Sequence, residues 1–136
     1  MFQHISLRHD LDSVNLPFSH AVRAGDFLFV SGQVASDCLY PAEDISWSGN
    51  NRLSIAEQTK SVMENLKTIL TEAGTGFDRV VMARIFLIDF RDYEAVNAVY
   101  TSYLTRDRLP CRTTVGVTGL ADQCALEIDL IVYCGN

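Results

Sequence analysis

The segment Leu126–Tyr133 alternates with a period of two. Leu126, Ile128, Leu130 and Val132 fall on one side, with Cys124 in phase before them, and Glu127, Asp129, Ile131 and Tyr133 fall on the other. Successive side chains of a strand point to opposite faces. One face of this strand is therefore wholly apolar and must be covered, and two amphipathic segments can cover it. Ser54 followed by Glu57 forms a capping box, and Ile55, Val62, Met63, Leu66, Ile69, Leu70 and Ala73 make a helical stripe that Gly74 and Gly76 end. Asp89 can cap a second helix, with Asp92 and Glu94 at its positive end and Tyr93, Val96, Tyr100, Tyr103 and Leu104 as its buried stripe.

The other strands follow from turn residues and apolar runs. Residues 18–23 and 27–33 are expected to be strands joined by a tight turn at Ala24-Gly25-Asp26, and residues 3–8 carry a weak strand pattern outside the main order. Residues 79–88 are apolar on both faces, as a central strand is. Pro110 marks re-entry into a strand at Cys111 to Thr118. Residues 38–52, polar and rich in turn formers, are read as a loop carrying the only tryptophan, Trp47. The order is ββαβαββ. It gives one α+β domain over residues 1–136, a two-layer sandwich in which a mixed β-sheet is backed by two helices.

Bulk properties exclude several functions. A formal charge of −6 disfavours a binder of nucleic acid or of an anionic membrane surface. No apolar run approaches the length of a membrane span, and Met1-Phe2-Gln3-His4 lacks the layout of a signal peptide. The four cysteines, Cys38, Cys111, Cys124 and Cys134, show no CxxC pairing and no zinc-finger spacing. Three lie in or beside apolar strands, so buried reduced thiols and a cytoplasmic location are expected. His4, His9 and His20 have no nucleophile elbow to serve. No metal-ligand cluster and no phosphate loop is visible.

Chemistry concentrates elsewhere. Arg112 opens an apolar strand, where an unpaired guanidinium is costly, and shares a face with Thr114, Gly116 and Thr118. Arg can hold a planar carboxylate through two parallel hydrogen bonds, so Arg112 is either a small-acid clamp or half of a structural pair with Glu127 on a neighbouring strand. Cys111 alternates to the opposite face from Arg112. Ser31-Gly32-Gln33 ends an apolar strand, and Gly32 marks a bulge or a close approach of ligand to backbone. Asn97 lies one helical turn after Tyr93, as a site residue or a structural tie. The mixed face with Glu127 and Asp129 is either solvated or covered by another subunit.

Several blocks then resemble one family in order. Residues 21–33, 58–74, 80–87 and 92–100, followed by Pro110-Cys111-Arg112-Thr113-Thr114-Val115 and Leu126-Glu127-Ile128-Asp129, resemble the RidA/YjgF family of reactive-intermediate deaminases over nearly the whole chain. The resemblance implies a chorismate-mutase-like fold and a homotrimer with sites at the subunit interfaces. It also implies cofactor-independent hydrolysis of imines or enamines to ketones plus ammonia. Arg112 would hold the substrate carboxylate and Glu127 would order the attacking water, with Ser31, Gly32, Asn97, Phe18 and Tyr93 shaping the pocket and Thr114 beside the clamp. Phe18 stands where many members have Tyr, Thr114 where many have Cys, and residues 38–52 depart from the usual pattern. These departures point away from the general 2-aminoacrylate substrate, toward a larger amino-acid-derived imine or an aminomuconate-like enamine. Competing expectations are a non-catalytic trimeric sensor of small carboxylic acids and a holdase-like surface. A ribonuclease is disfavoured by the acidic charge.

Overall fold

A computed structural model describes residues 2–7, 16–38 and 52–136. Its strands are β1 (Phe2–Ile5), β2 (Ala21–Ala24), β3 (Phe27–Gln33), β4 (Val80–Leu87), β5 (Cys111–Gly116) and β6 (Leu126–Tyr133), with helices α1 (Ile55–Glu72) and α2 (Tyr93–Ser102). They form one six-stranded sheet in the order β1-β2-β3-β6-β4-β5. Only β4 and β5 pair in parallel, and α2 supplies the crossover such a pair needs. The expected two-layer α+β sandwich is the one observed, with β1 added at one edge.

The helices cover the face predicted from period-two alternation. Leu126, Ile128 and Val132 of β6 are fully buried with Ala83 and Leu87 of β4, against Val62, Leu66 and Ile69 of α1. Each of these valine, leucine and isoleucine side chains contributes about 1.5–3 kcal/mol by leaving water. The capping box forms as expected: Ser54 Oγ accepts from Glu57 N at 3.1 Å, and Ser54 N donates to Glu57 Oε1 at 3.4 Å. Gly74, at φ +79°, follows the helix end in the left-handed region that favours glycine. Two polar residues of α1 that the apolar stripe did not include are also buried. Gln58 Nε2 donates to Leu53 O at 3.0 Å while its Oε1 accepts from Ala125 N at 2.9 Å, and Thr59 Oγ1 donates to Ile55 O at 2.6 Å.

Several expectations need correction. The strand expected from residue 18 begins at Ala21, because Pro17 lacks an N–H and Ser31 Oγ ties Ser19 O at 2.7 Å. Asp89 caps the short 3-10 turn Phe90–Asp92, accepting from Arg91 N at 2.9 Å, and α2 starts after Asp92 without a side-chain cap. Cys124 precedes β6 rather than joining it. Cys38 and Cys124 are joined in a disulfide across 86 positions, and Cys111 is exposed, so the expectation of buried reduced thiols does not hold. Cys124 is buried as expected, Cys38 is buried although it opens a segment read as a polar loop, and local pattern carries no information on which two thiols meet. Most of the loop 38–52, with Trp47, and also His9 lie outside the described residues. No helix of the described residues is long and apolar enough to cross a membrane.

Candidate functional site

The candidate residues divide into two groups on opposite faces of the sheet. Arg112 pairs in register with Ala83, and Thr114 with Ile85. Ala83 and Ile85 are buried beneath the helices, so Arg112 and Thr114 face α2. Glu127 pairs with Phe86, out of phase with that row, and faces the uncovered side. β4 lies between β5 and β6. Arg112 therefore does not have Glu127 on a neighbouring strand, and the intrachain Arg112–Glu127 pair considered from the sequence does not form. A core strand was expected at β5, but β5 is an edge strand with alternating exposure.

The first group surrounds Arg112. Its Nη2 donates to Tyr93 OH at 3.0 Å. The guanidinium carbon stands 5.4 Å from the Tyr93 ring centroid and 5.1 Å from that of Tyr100, within cation–π range of both. Among the described residues no carboxylate pairs with Arg112. Buried side-chain polar atoms normally have partners, yet Asn97 Oδ1, Tyr100 OH and Thr114 Oγ1 have none among the described residues, and all three belong to α2 or β5. Burial raises the Tyr100 phenol pKa, against the opposing pull of the Arg112 charge. The sequence placed Tyr100 in the core stripe of α2 and so missed its contact with Arg112. The signal available was its position two helical turns after Tyr93 on the same face.

The second group surrounds Glu127. Leu16, Phe18, Ser31, Gly32, Val34, Ala35 and Asp122 line a cavity of about 740 Å³ with it. Gly32 sits in a bulge: Val30 faces Leu130 and Gln33 faces Ile128, so Ser31 and Gly32 together oppose one residue of β6. A β-carbon on Gly32 would stand 2.7 Å from Glu127 Oε2. Burial, and secondarily the Asp129 charge, raises the Glu127 pKa above the ordinary carboxylate value. Asp129 is itself clamped by Arg84, with Nε to Oδ1 at 2.9 Å and Nη2 to Oδ2 at 2.6 Å. Gln33 Nε2 donates to the carbonyls of Ser31 at 3.4 Å and Gly32 at 3.3 Å.

One half thus holds an oriented cation that no described acid pairs, and the other a carboxyl of raised basicity in a cavity. The uncovered face, on which Glu127 lies, exposes Phe27, Phe29 and Val115.

A mixed sheet with this order and two helices on one face defines a known class of proteins. The family model described as endoribonuclease L-PSP matches residues 9–134. A RutC family protein of Pyrococcus abyssi is 37% identical over 117 residues, 86% of each chain. A protein of unknown function from Yersinia pestis, of the conserved Rid family, superposes with a TM-score of 0.77 at 26% identity over 98% of this chain and 99% of its own. RidA from an Antarctic Psychrobacter does so with a TM-score of 0.72 at 28% identity, covering 89% and 91%. The chain belongs to the RidA/YjgF family.

Proposed function

We propose that this protein hydrolyses a carboxylate-bearing imine or enamine to a 2-oxo acid and ammonia, without a cofactor, at a site shared between copies of the chain in the cytoplasm. The observation that carries the reading is the division of the site: among the described residues Arg112 has no acidic partner, and Glu127 faces the opposite side two strands away. The Arg112 patch and the Glu127 patch are different surfaces of one chain. Joining one to the other between copies is a head-to-tail contact, which forms a ring when its rotation closes and a filament when it does not. The family resemblance makes that ring a trimer, and the exposed Phe27, Phe29 and Val115 supply apolar surface for it.

The chemistry needs little more. Arg112 would hold the substrate carboxylate in bidentate fashion and so place the imine carbon over the cavity of the neighbouring copy. A protonated imine carbon is already electrophilic. Glu127, ionised but more basic than an ordinary carboxylate, would take a proton from water as its oxygen bonds to that carbon. The same carboxyl would return that proton to nitrogen, and as the carbon–nitrogen bond breaks the hydroxyl would lose its remaining proton to the carboxylate and on to the departing ammonia, leaving the 2-oxo acid and ammonium. Phe18, Ser31 and Gly32 would shape the cavity from the Glu127 side, and Tyr93, Asn97 and Thr114 would support the clamp.

Complementation tests this directly. Arg112→Ala and Glu127→Gln chains, each inactive alone, are unfolded together, refolded and assayed for ammonia release from imines generated in situ by an amino-acid oxidase. Random trimers should recover about a quarter of wild-type activity, because one interface in four pairs an intact Arg112 with an intact Glu127. No recovery places the site within one copy or elsewhere. Wild type that releases no ammonia above the uncatalysed rate, yet binds 2-oxo acids, favours a non-catalytic sensor. The family description as an endoribonuclease makes RNA the necessary second substrate to assay, and the charge of −6 predicts no cleavage.

A further inference from the structure

The Cys38–Cys124 disulfide joins two walls of the Glu127 cavity. Ala35 and Ser36 line one wall just before Cys38, and Ala121 and Asp122 line the other just before Cys124. Ala35 is central to the junction: its carbonyl lies 3.7 Å from Cys38 Sγ and 3.9 Å from Cys124 Sγ. Gln58 reinforces the join from α1 by bonding both Leu53 O and Ala125 N. Leu53 N in turn bonds Cys38 O at 3.0 Å.

The second wall is under backbone strain. Asp122 and Gln123 are consecutive residues with φ of +57° and +58°. Non-glycine residues in this region cost about 1 kcal/mol or more each and persist only where the surroundings hold them. Cys124 follows directly, and Glu127 lies three residues further on. The turn is closed by Cys124 N donating to Ala121 O at 3.1 Å, and the covalent tie at Cys124 anchors it to the opposite wall; its release would move the cavity wall and the start of the strand that carries Glu127.

We propose that the Cys38–Cys124 pair is a redox-controlled clamp on this cavity: oxidised, it holds the Ala121–Gln123 turn against the Ala35 wall and keeps the site competent; reduced, it lets the turn relax and weakens substrate binding. The proposal rests on the cavity being the substrate site. Reduction takes two electrons and two protons. A dithiol attacks one sulfur, the disulfide bond breaks through a mixed disulfide, and the dithiol leaves as its own cyclic disulfide while Cys38 and Cys124 become thiols. Both sulfurs belong to buried residues, so exchange waits on opening of the wall. In a thiol-reducing compartment a disulfide is usually of the redox-sensing kind.

The test uses full-length protein carrying Cys111→Ser and Cys134→Ser, so that only this pair responds. The protein is oxidised with oxidised glutathione or reduced with dithiothreitol, its thiol state is read by mass spectrometry, and two measurements follow. Hydrogen exchange of residues 121–127 should rise at least tenfold on reduction, and KM for the imine should rise about tenfold with a smaller change in kcat. Cys38→Ser should match the reduced protein in both and ignore dithiothreitol. If Cys38→Ser fails to fold, the reduced protein alone decides. Equal exchange at 121–127 in the two states overturns the clamp, as does a pair that stays reduced in oxidised glutathione. A change in thermal stability with unchanged KM and exchange shows a merely structural disulfide and also overturns it. Absence of ammonia release in both states refutes the deaminase reading, and the exchange measurement then decides the clamp by itself.

Discussion

Gly32 approaches the Glu127 side chain so closely that a β-carbon there would stand 2.7 Å from both Cδ and Oε2 of the carboxylate. The atoms in conflict are the end of a flexible side chain, which can swing away at little energetic cost. Gly32→Ala should therefore displace the carboxylate more than it destabilises the fold. The expected result is a loss of kcat of about 10-fold to 100-fold, the scale of a misplaced catalytic group, with only a small shift in thermal midpoint. A fully active Gly32→Ala variant would mean that the carboxylate position does not matter.

Arg112→Ala removes two charge-assisted hydrogen bonds to the substrate carboxylate. The loss of transition-state binding should be about 3 kcal/mol, roughly 150-fold in kcat/KM. Arg112→Lys should recover little, because an ammonium lacks the planar fork. Light scattering should show the assembly unchanged, and near-normal turnover would remove Arg112 from the site.

Glu127→Gln keeps shape and an acceptor oxygen but cannot take a proton at neutral pH. Turnover should fall about 10²-fold to 10⁴-fold, while binding of a product-like 2-oxo acid changes little. Stability should move the other way. Because folding raises the Glu127 pKa, ionisation opposes the folded state. That cost is absent below the unfolded pKa and present once the pH exceeds the folded one. Glu127→Gln should thus melt higher than wild type at pH 7, by about 1–3 °C, and the gap should close in acid. A gap that is independent of pH would show that the charge is not its source.

The acid limb of the pH–rate profile should report Glu127, with activity lost as the carboxylate is protonated. Asp129 is one cause of its raised pKa. Asp129→Asn removes that charge and frees the Arg84 cation, now bound at 2.6 Å, and both changes favour ionised Glu127. The limb should move to lower pH. Movement to higher pH, or none, would contradict this coupling.

Tyr100 separates ring from hydroxyl. Tyr100→Phe keeps the ring facing Arg112 and removes a buried hydroxyl without a partner among the described residues, so KM should hold and stability should not fall. Tyr100→Leu removes the ring. KM for carboxylate substrates should rise about tenfold, the order of one desolvated cation–π contact, and discrimination against the methyl ester should weaken. Equal KM in both variants would reduce Tyr100 to a packing residue.

Much of this molecule was legible without coordinates. The capping box at Ser54 and Glu57, the stripe of α1 and the period-two alternation of β6 depend on residues a few positions apart, and each formed as expected. The types of the site residues were legible for the same reason, since an arginine in an apolar strand or a glycine at a strand end stands out locally. Strand order was not. It follows from which strands pack across long separations, and it placed β4 between β5 and β6. That placement separated Arg112 from Glu127 by a strand, and the register of each with β4 put Arg112 under the helices and Glu127 on the uncovered face, turning an expected pair into two half-sites. The same long-range packing brought Cys38 to Cys124 and the Tyr100 ring to Arg112. Local pattern specifies which face a residue takes within its own element, and only the packed chain decides what lies opposite it.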